Sequence, residues 1–269
     1  MAPPPHIAWL VDTGQRIKTT ESAKVEVWEL RHVNDAAILS EWAKHFRNHY
    51  CADDMLDGLI DGTGLTRAEF LNQRKFPSMQ APGPSIRAGD FAEILISDFI
   101  EFTQGYWCPR ERFAIKWIPN ESIKGSDVIG FRFATKKGFS EKDEMFVLEA
   151  KADMTGSNEN RLQIAVNDST KDPVRHAVSL SALKQRYLEQ GRNYDADAIK
   201  RFQNPTDSPF KFRSGAVLVC SEDAFDPEVI KTTVCAAHSN RANLTLIVVK
   251  GDALMALVHA LYERAANEA

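Results

Sequence analysis

The sequence predicts an α/β protein, a mixed central sheet flanked by helices, preceded by an α+β extension. Three observations lead there. Residues 90–152 run from an apolar helix into three strand-like segments, and from 159 onward helical and strand patterns alternate. A proline- and glycine-rich stretch at 76–89 (FPSMQAPGPSIRAG) reads as a linker. It divides an N-terminal extension, 1–85, from a main body, 86–269.

In the extension, 24–31 (KVEVWELR) alternates apolar and polar residues, the period of a half-buried strand. Residues 33–50 are expected to be helical, capped by Asn34 or Asp35, with Ile38, Trp42, His45, Phe46 and His49 along the helix. Thr66 and Glu69 form a capping-box pattern for a short helix over 66–72. In the main body, 90–103 (DFAEILISDFIEFT) predicts an apolar helix, and 108–118, 126–133 and 144–152 predict three strands. Helices are expected at 159–170, 174–190, 227–238 and 252–265, with strands at 214–221 and 244–250. Residues 203–213 read as a loop.

Composition narrows the function classes. The chain has 269 residues, 43% hydrophobic and 26% charged, which suits a globular core. A net charge of −4 lacks the broad basic footprint of a DNA-coating protein. Cys51, Cys108, Cys220 and Cys235 form no CxxC pair, so no cysteine zinc site is expected. Met1 to His6 lacks a charged-then-apolar leader. The longest apolar runs, such as 244–249, fall short of the roughly 20 residues that a membrane helix requires. The expectation is a soluble cytoplasmic protein without a membrane partner.

The chemistry concentrates where the third strand of the main body ends, at Glu149-Ala150-Lys151. Residues two apart in a strand share a face, so Glu149 and Lys151 emerge together. Asp127 opens the preceding strand, and two neighbouring strands can unite it with Glu149. Paired carboxylates at a sheet rim attract a hard, oxygen-preferring cation such as Mg²⁺, with Mn²⁺ as a substitute. The Ala150 carbonyl offers another oxygen. Such a centre suits phosphodiester hydrolysis: the metal polarises the phosphate and acidifies a water, and Lys151 orients or helps deprotonate that water. Glu93, in the preceding helix, is a candidate outer carboxylate. Gln163, Asn167 and Lys171 recur every four residues, and Gln163 and Lys171 are candidate nucleic-acid contacts.

This arrangement of Glu93, Asp127 and Glu149-x-Lys151 resembles the PD-(D/E)xK nuclease superfamily, with Ser126-Asp127 in place of the literal PD. The order helix, three strands, helix, strand is similar to that superfamily's restriction-endonuclease-like core. More closely, GDFAEILISDFIEF (89–102), NESIKGSDVIGFRF (120–133), FVLEAKA (146–152) and NDSTKDPVRHA (167–177) resemble the HamA family, nuclease subunits of the Hachiman anti-phage defence system. The resemblance runs from about residue 88 to the C-terminus. It implies an effector that cuts DNA and a HamB-like helicase that restrains it. It also implies that Glu149 and Lys151 are the catalytic pair, that Asp127 binds the metal, and that residues 1–85 dock the helicase.

Other signals carry less. His45 and His49 have zinc-compatible spacing, but no glutamate follows His45 as in HExxH, so a packed or surface pair is expected. Ser181-x-x-Lys184 lacks the companion motifs of a serine acylase. Gly58, Gly62 and Gly64 are followed by no Lys-Ser or Lys-Thr, so no P-loop is expected. Asp53, Asp54, Asp57 and Asp61 do not match an EF-hand loop and read as a solvated turn. Two alternatives to the DNA nuclease stand open. One is a non-catalytic DNA- or helicase-binding regulatory subunit with a degenerate nuclease fold. The other is an RNA-cleaving toxin with the same metal chemistry.

Overall fold

The computed structural model describes residues 2–136, 138–157, 159–170 and 173–269. Among these the strands are β1 (Leu10–Lys18), β2 (Lys24–Leu30), β3 (Val128–Arg132), β4 (Glu144–Asp153), β5 (Lys211–Ser221) and β6 (Leu244–Gly251). They form a six-stranded sheet in the order β1-β2-β6-β5-β4-β3. The pairs β1–β2 and β3–β4 are antiparallel, and the β2–β6, β6–β5 and β5–β4 pairs are parallel. The expected α/β class with a mixed sheet therefore holds, and the architecture is compatible with a restriction-endonuclease-like core.

The helices are α1 (Ala36–Tyr50), α2 (Asp53–Ile60), α3 (Arg67–Phe70), α4 (Gly83–Gln104), α5 (Arg161–Ser169), α6 (Pro173–Glu189), α7 (Asn193–Lys200), α8 (Pro227–Lys231) and α9 (Leu254–Asn267). Strand periodicity sends alternate side chains to opposite faces of the sheet. Phe146 and Leu148 join a large core with Phe91, Leu95 and Phe99 of α4 and Leu257 and Leu261 of α9. Met145 and Val147 join Leu180 and Tyr187 of α6 and Ile199 of α7 on the other face. Further along that face, Leu162 and Val166 of α5 pack on Leu218 and Val248. With both faces covered, central β5 is buried from Ser214 to Ser221, the signature of a parallel interior strand.

Local rules account for several boundaries. Asp35 caps α1, accepting from the Ala37 and Ile38 amides at 3.0 and 3.1 Å. The Thr66–Glu69 capping box forms as expected. Helix α4 closes on Gly105, whose φ of 72° is the left-handed conformation that favours glycine at this position. Gly130 lets α4 lie close on β3: a Cβ there would stand 2.8 Å from Ile100 Cδ1.

Several expectations require correction. The stretch read as a linker at 76–89 is half helix: α4 starts at Gly83, and buried Arg87 donates to the Pro77 carbonyl at 2.7 Å. Residues 108–118 form no strand; the residue before them, Trp107, makes one bridge to Phe131 at the sheet edge, and they contain a 3-10 turn, Phe113–Ile115. Strand β1 and helices α2 and α7 lie where no element was expected, and α8 is five residues long where a helix to 238 was expected. The first 85 residues share the sheet with the rest of the chain, since β2 pairs along β6 from Val25 to Leu30.

Candidate active site

Antiparallel pairing places Val128 opposite Leu148. One residue further in the same register, Asp127 stands opposite Glu149, near enough for its charge to act on the Glu149 carboxyl. Glu149 and Lys151 continue the row of Met145 and Val147 along β4, and Lys151 Nζ lies 3.0 Å from Glu149 Oε1. Asp127 Oδ2 accepts from the Ala150 amide at 3.2 Å, continuing the ladder where β3 has not yet begun. In an extended strand the N–H and C=O of one residue lie on the same edge. The Ala150 carbonyl therefore also faces the Asp127 side.

Glu93 projects from α4 to the same place through Arg112. The guanidinium donates to Glu93 Oε2 at 2.7 Å, to Asp127 Oδ1 at 3.1 Å and to the Ser126 and Ile123 carbonyls at 2.8 Å each. Two more residues close the ring. Asp168 on α5 binds Lys151 Nζ at 2.7 Å, and Arg175 on α6 approaches Glu149 Oε2 at 3.7 Å while donating to the Gly125 carbonyl. The Ser126 hydroxyl meets His176 Nδ1 at 3.0 Å, which fastens the same loop to α6.

Electrostatics separates these groups. Burial, and then the neighbouring Asp127 charge, push the Glu149 carboxyl above the usual glutamate range despite Lys151 and Arg175. The same two causes push Glu93 well above that range, against the pull of Arg112. Burial opposes the Lys151 ammonium, yet its hydrogen bond to Asp168 and the Glu149 charge outweigh burial and raise its pKa. Lys151 therefore stays protonated at neutral pH, a positive charge and hydrogen-bond donor between Glu149 and Asp168.

The donor types suit a hard cation, carboxylates of Glu93, Asp127 and Glu149 and one backbone carbonyl, all oxygen, although the three carboxylates do not all close to within 4.8 Å of one another in this structure. Like-charged carboxylates held together under burial are the environment that a divalent ion relieves. Here arginine supplies part of that relief, because Arg112 already bridges Glu93 and Asp127. A pocket of about 600 Å³, open to solvent, reaches Asp127, Ser126 and Arg112 from the side of Ser179 and Leu183.

The expected polar row on α5 is placed differently. Gln163 is tied to the Val234 backbone, donating to its carbonyl at 3.1 Å and accepting from its amide at 2.6 Å, and it also donates to Asn167 at 2.9 Å. It lies about 140° around the helix from Asp168, the α5 residue that reaches Lys151. Lys171 lies outside the described residues.

Arg112, Asp168 and Arg175 were not expected from sequence. The signal available for Asp168 is its place beside Asn167 in the stretch after the Glu-x-Lys strand. For Arg112 it is the charge cluster Arg110-Glu111-Arg112, at odds with a buried strand. No helix among the described residues is long and apolar enough to cross a membrane. A family model described as HamA matches residues 5–265. Among curated proteins, none matches the chain.

Proposed function

The chain belongs to the HamA family and is thus a component of a Hachiman defence system, and on that premise we propose that it is a metal-dependent deoxyribonuclease whose activity is controlled by a partner helicase. The observation that carries this reading is the rim constellation: Glu149 and Lys151 side by side on β4, opposite Asp127, with Glu93 reaching in from α4. Glu93, Asp127, Glu149 and the Ala150 carbonyl would hold Mg²⁺ or Mn²⁺. Once bound, the ion supplies a Lewis acid for the phosphate and a more acidic water.

The chain's own groups do the rest. Lys151, steadied by Glu149 and Asp168, directs an ammonium proton at a phosphate oxygen or at the attacking water. Its raised proton affinity supports charge compensation over proton abstraction as its part in the reaction. Arg175 supplies a second positive charge beside Glu149. Asp127, gripped by the Ala150 amide, holds β3 and β4 in register at the reacting end.

One observation favours the second reading, a non-catalytic DNA- or helicase-binding subunit: Arg112 already spans Glu93 and Asp127. A cleavage assay separates the two. Supercoiled plasmid is incubated with Mg²⁺ or Mn²⁺ and the protein, alone and with its activated helicase partner. The wild type is expected to degrade DNA. Glu149→Gln and Lys151→Ala, both verified as folded, are expected to lose about 10³-fold in rate. A wild type inert in both forms favours the non-catalytic subunit. Cleavage of a parallel RNA substrate alone overturns the choice of DNA.

A further inference from the structure

A second cluster of ligand-bearing side chains lies away from the rim, where α1, α4 and a 3-10 turn at Pro5–Trp9 meet. The sequence reading has His45 and His49 as a packed or surface pair, and they do pack, but around a shared carboxylate. His45 Nε2 lies 2.9 Å from Asp98 Oδ1 and 3.4 Å from His49 Nε2. One ligand atom from each of the three residues falls within 4.8 Å of the others. A tetrahedral zinc ion with bonds near 2.0 Å separates its ligand atoms by about 3.3 Å. Two edges of this triangle, 2.9 and 3.4 Å, are close to that spacing.

Two further contacts favour a cation here. Arg110 Nη1 donates to Asp98 Oδ1 at 2.7 Å and lies 3.3 Å from His49 Nε2, so positive charge already touches two of the three residues. The same arginine has a second anionic partner, Glu101, to hold it when it withdraws. His6 Nε2 meets the other oxygen of Asp98, Oδ2, at 3.0 Å and stacks on Trp42 with ring centroids 4.4 Å apart. A hydrogen bond to the distal oxygen is the support that ligating carboxylates receive in metal sites. Asp98 is fully buried, whereas the His45 side chain is 26% exposed and gives access from solvent.

We propose that His45, His49 and Asp98 form a binding site for a zinc-class divalent ion, oriented by His6 and gated by Arg110. Imidazole nitrogens select Zn²⁺ or Co²⁺ over Mg²⁺, so this site differs in chemistry from the all-oxygen rim. Water supplies the remaining ligand. Asp98 stands five residues beyond Glu93 on α4, about 7.5 Å along the axis, so both centres share one helix.

The test uses the full chain carrying Glu149→Gln, which weakens the rim as a competing site. After chelation, Zn²⁺ is titrated by calorimetry and Co²⁺ by visible absorption. One ion per chain is expected, with Co²⁺ bands shaped by nitrogen ligands. His45→Ala, at the partly exposed position, should weaken binding at least tenfold, and His6→Phe about tenfold. Arg110→Gln should strengthen it, a gain that loss of folding cannot mimic. Absence of Zn²⁺ binding, or binding indifferent to both His45→Ala and Arg110→Gln, overturns the proposal. Because Glu149→Gln is already inactive under the nuclease reading, neither outcome depends on whether that reading holds.

Discussion

Asp98 and Glu93 sit five residues apart on one helix, both largely withdrawn from solvent, yet their proton affinities move in opposite directions. Burial alone would raise both. Around Asp98 the Arg110 charge and the hydrogen bonds from His45 and His6 overturn burial and hold the carboxyl well below its ordinary value. Around Glu93 the neighbouring Asp127 charge adds to burial, and Arg112 is shared between them. The comparison teaches that a carboxylate's neighbours, more than its depth, decide whether it is a settled ion or holds its proton into a higher pH range. Each cluster draws one arginine from the same stretch, Arg110 and Arg112.

Removing the settled ion has the largest expected effect. Asp98→Ala strands two imidazole nitrogens and leaves Arg110 with Glu101 as its carboxylate partner, and is expected to cost about 3 kcal/mol in urea unfolding. A loss under about 1 kcal/mol would mean that the two carboxylates are equivalent after all.

Next comes the pH dependence of ion binding at the rim. Glu93 and Glu149 hold protons above the ordinary glutamate range, so a bound ion must displace them. Affinity for Mn²⁺ is expected to rise as pH rises, by at most about tenfold per unit for each proton released. Calorimetry in buffers of different ionisation enthalpy should detect that release. Asp98 is already ionised and contributes none. A rim affinity flat between about pH 5 and 8 would remove the contrast.

Asp168→Asn should have the smallest effect. Its bond to Lys151 joins two partly exposed groups, 23% and 24% accessible, so the expected stability loss is about 0.5 kcal/mol. The pKa of Lys151, followed by NMR, should fall, since that bond is the leading support for its charge.

These clusters were unequally legible in sequence. Glu149 and Lys151 are two apart in a strand, and Asp127 immediately precedes the strand paired with it, so strand periodicity and neighbouring order point to them together. Arg112, Asp168 and Arg175 arrive from a loop and two helices whose docking is tertiary, and no local period encodes it. The stretch 108–118 misleads because Phe113, Ile115 and Trp117 alternate like a strand. In the folded chain Arg110 and Arg112 are spent on carboxylates, and Trp117 is 93% exposed. Strand β1 (LVDTGQRIK) escapes detection because Asp12, Thr13 and Gly14 look like a turn, whereas they form an irregularity within the strand. The His45–His49 spacing was visible, but Asp98 lies 53 residues from His45 and joins only through packing.

That irregularity in β1 bears on how the molecule behaves in a crowded solution. β1 and β3 are the sheet's outer strands, where unpaired backbone groups invite another chain to add on. Pairing along β1 breaks between Asp12 and Arg16, and Arg16 is clamped across the break to Asp12 at 2.5 Å. β3 is only five residues long and is partly capped by the Trp107 bridge. Neither border offers a long flat template, so strand-by-strand self-association is blunted at both ends of the sheet.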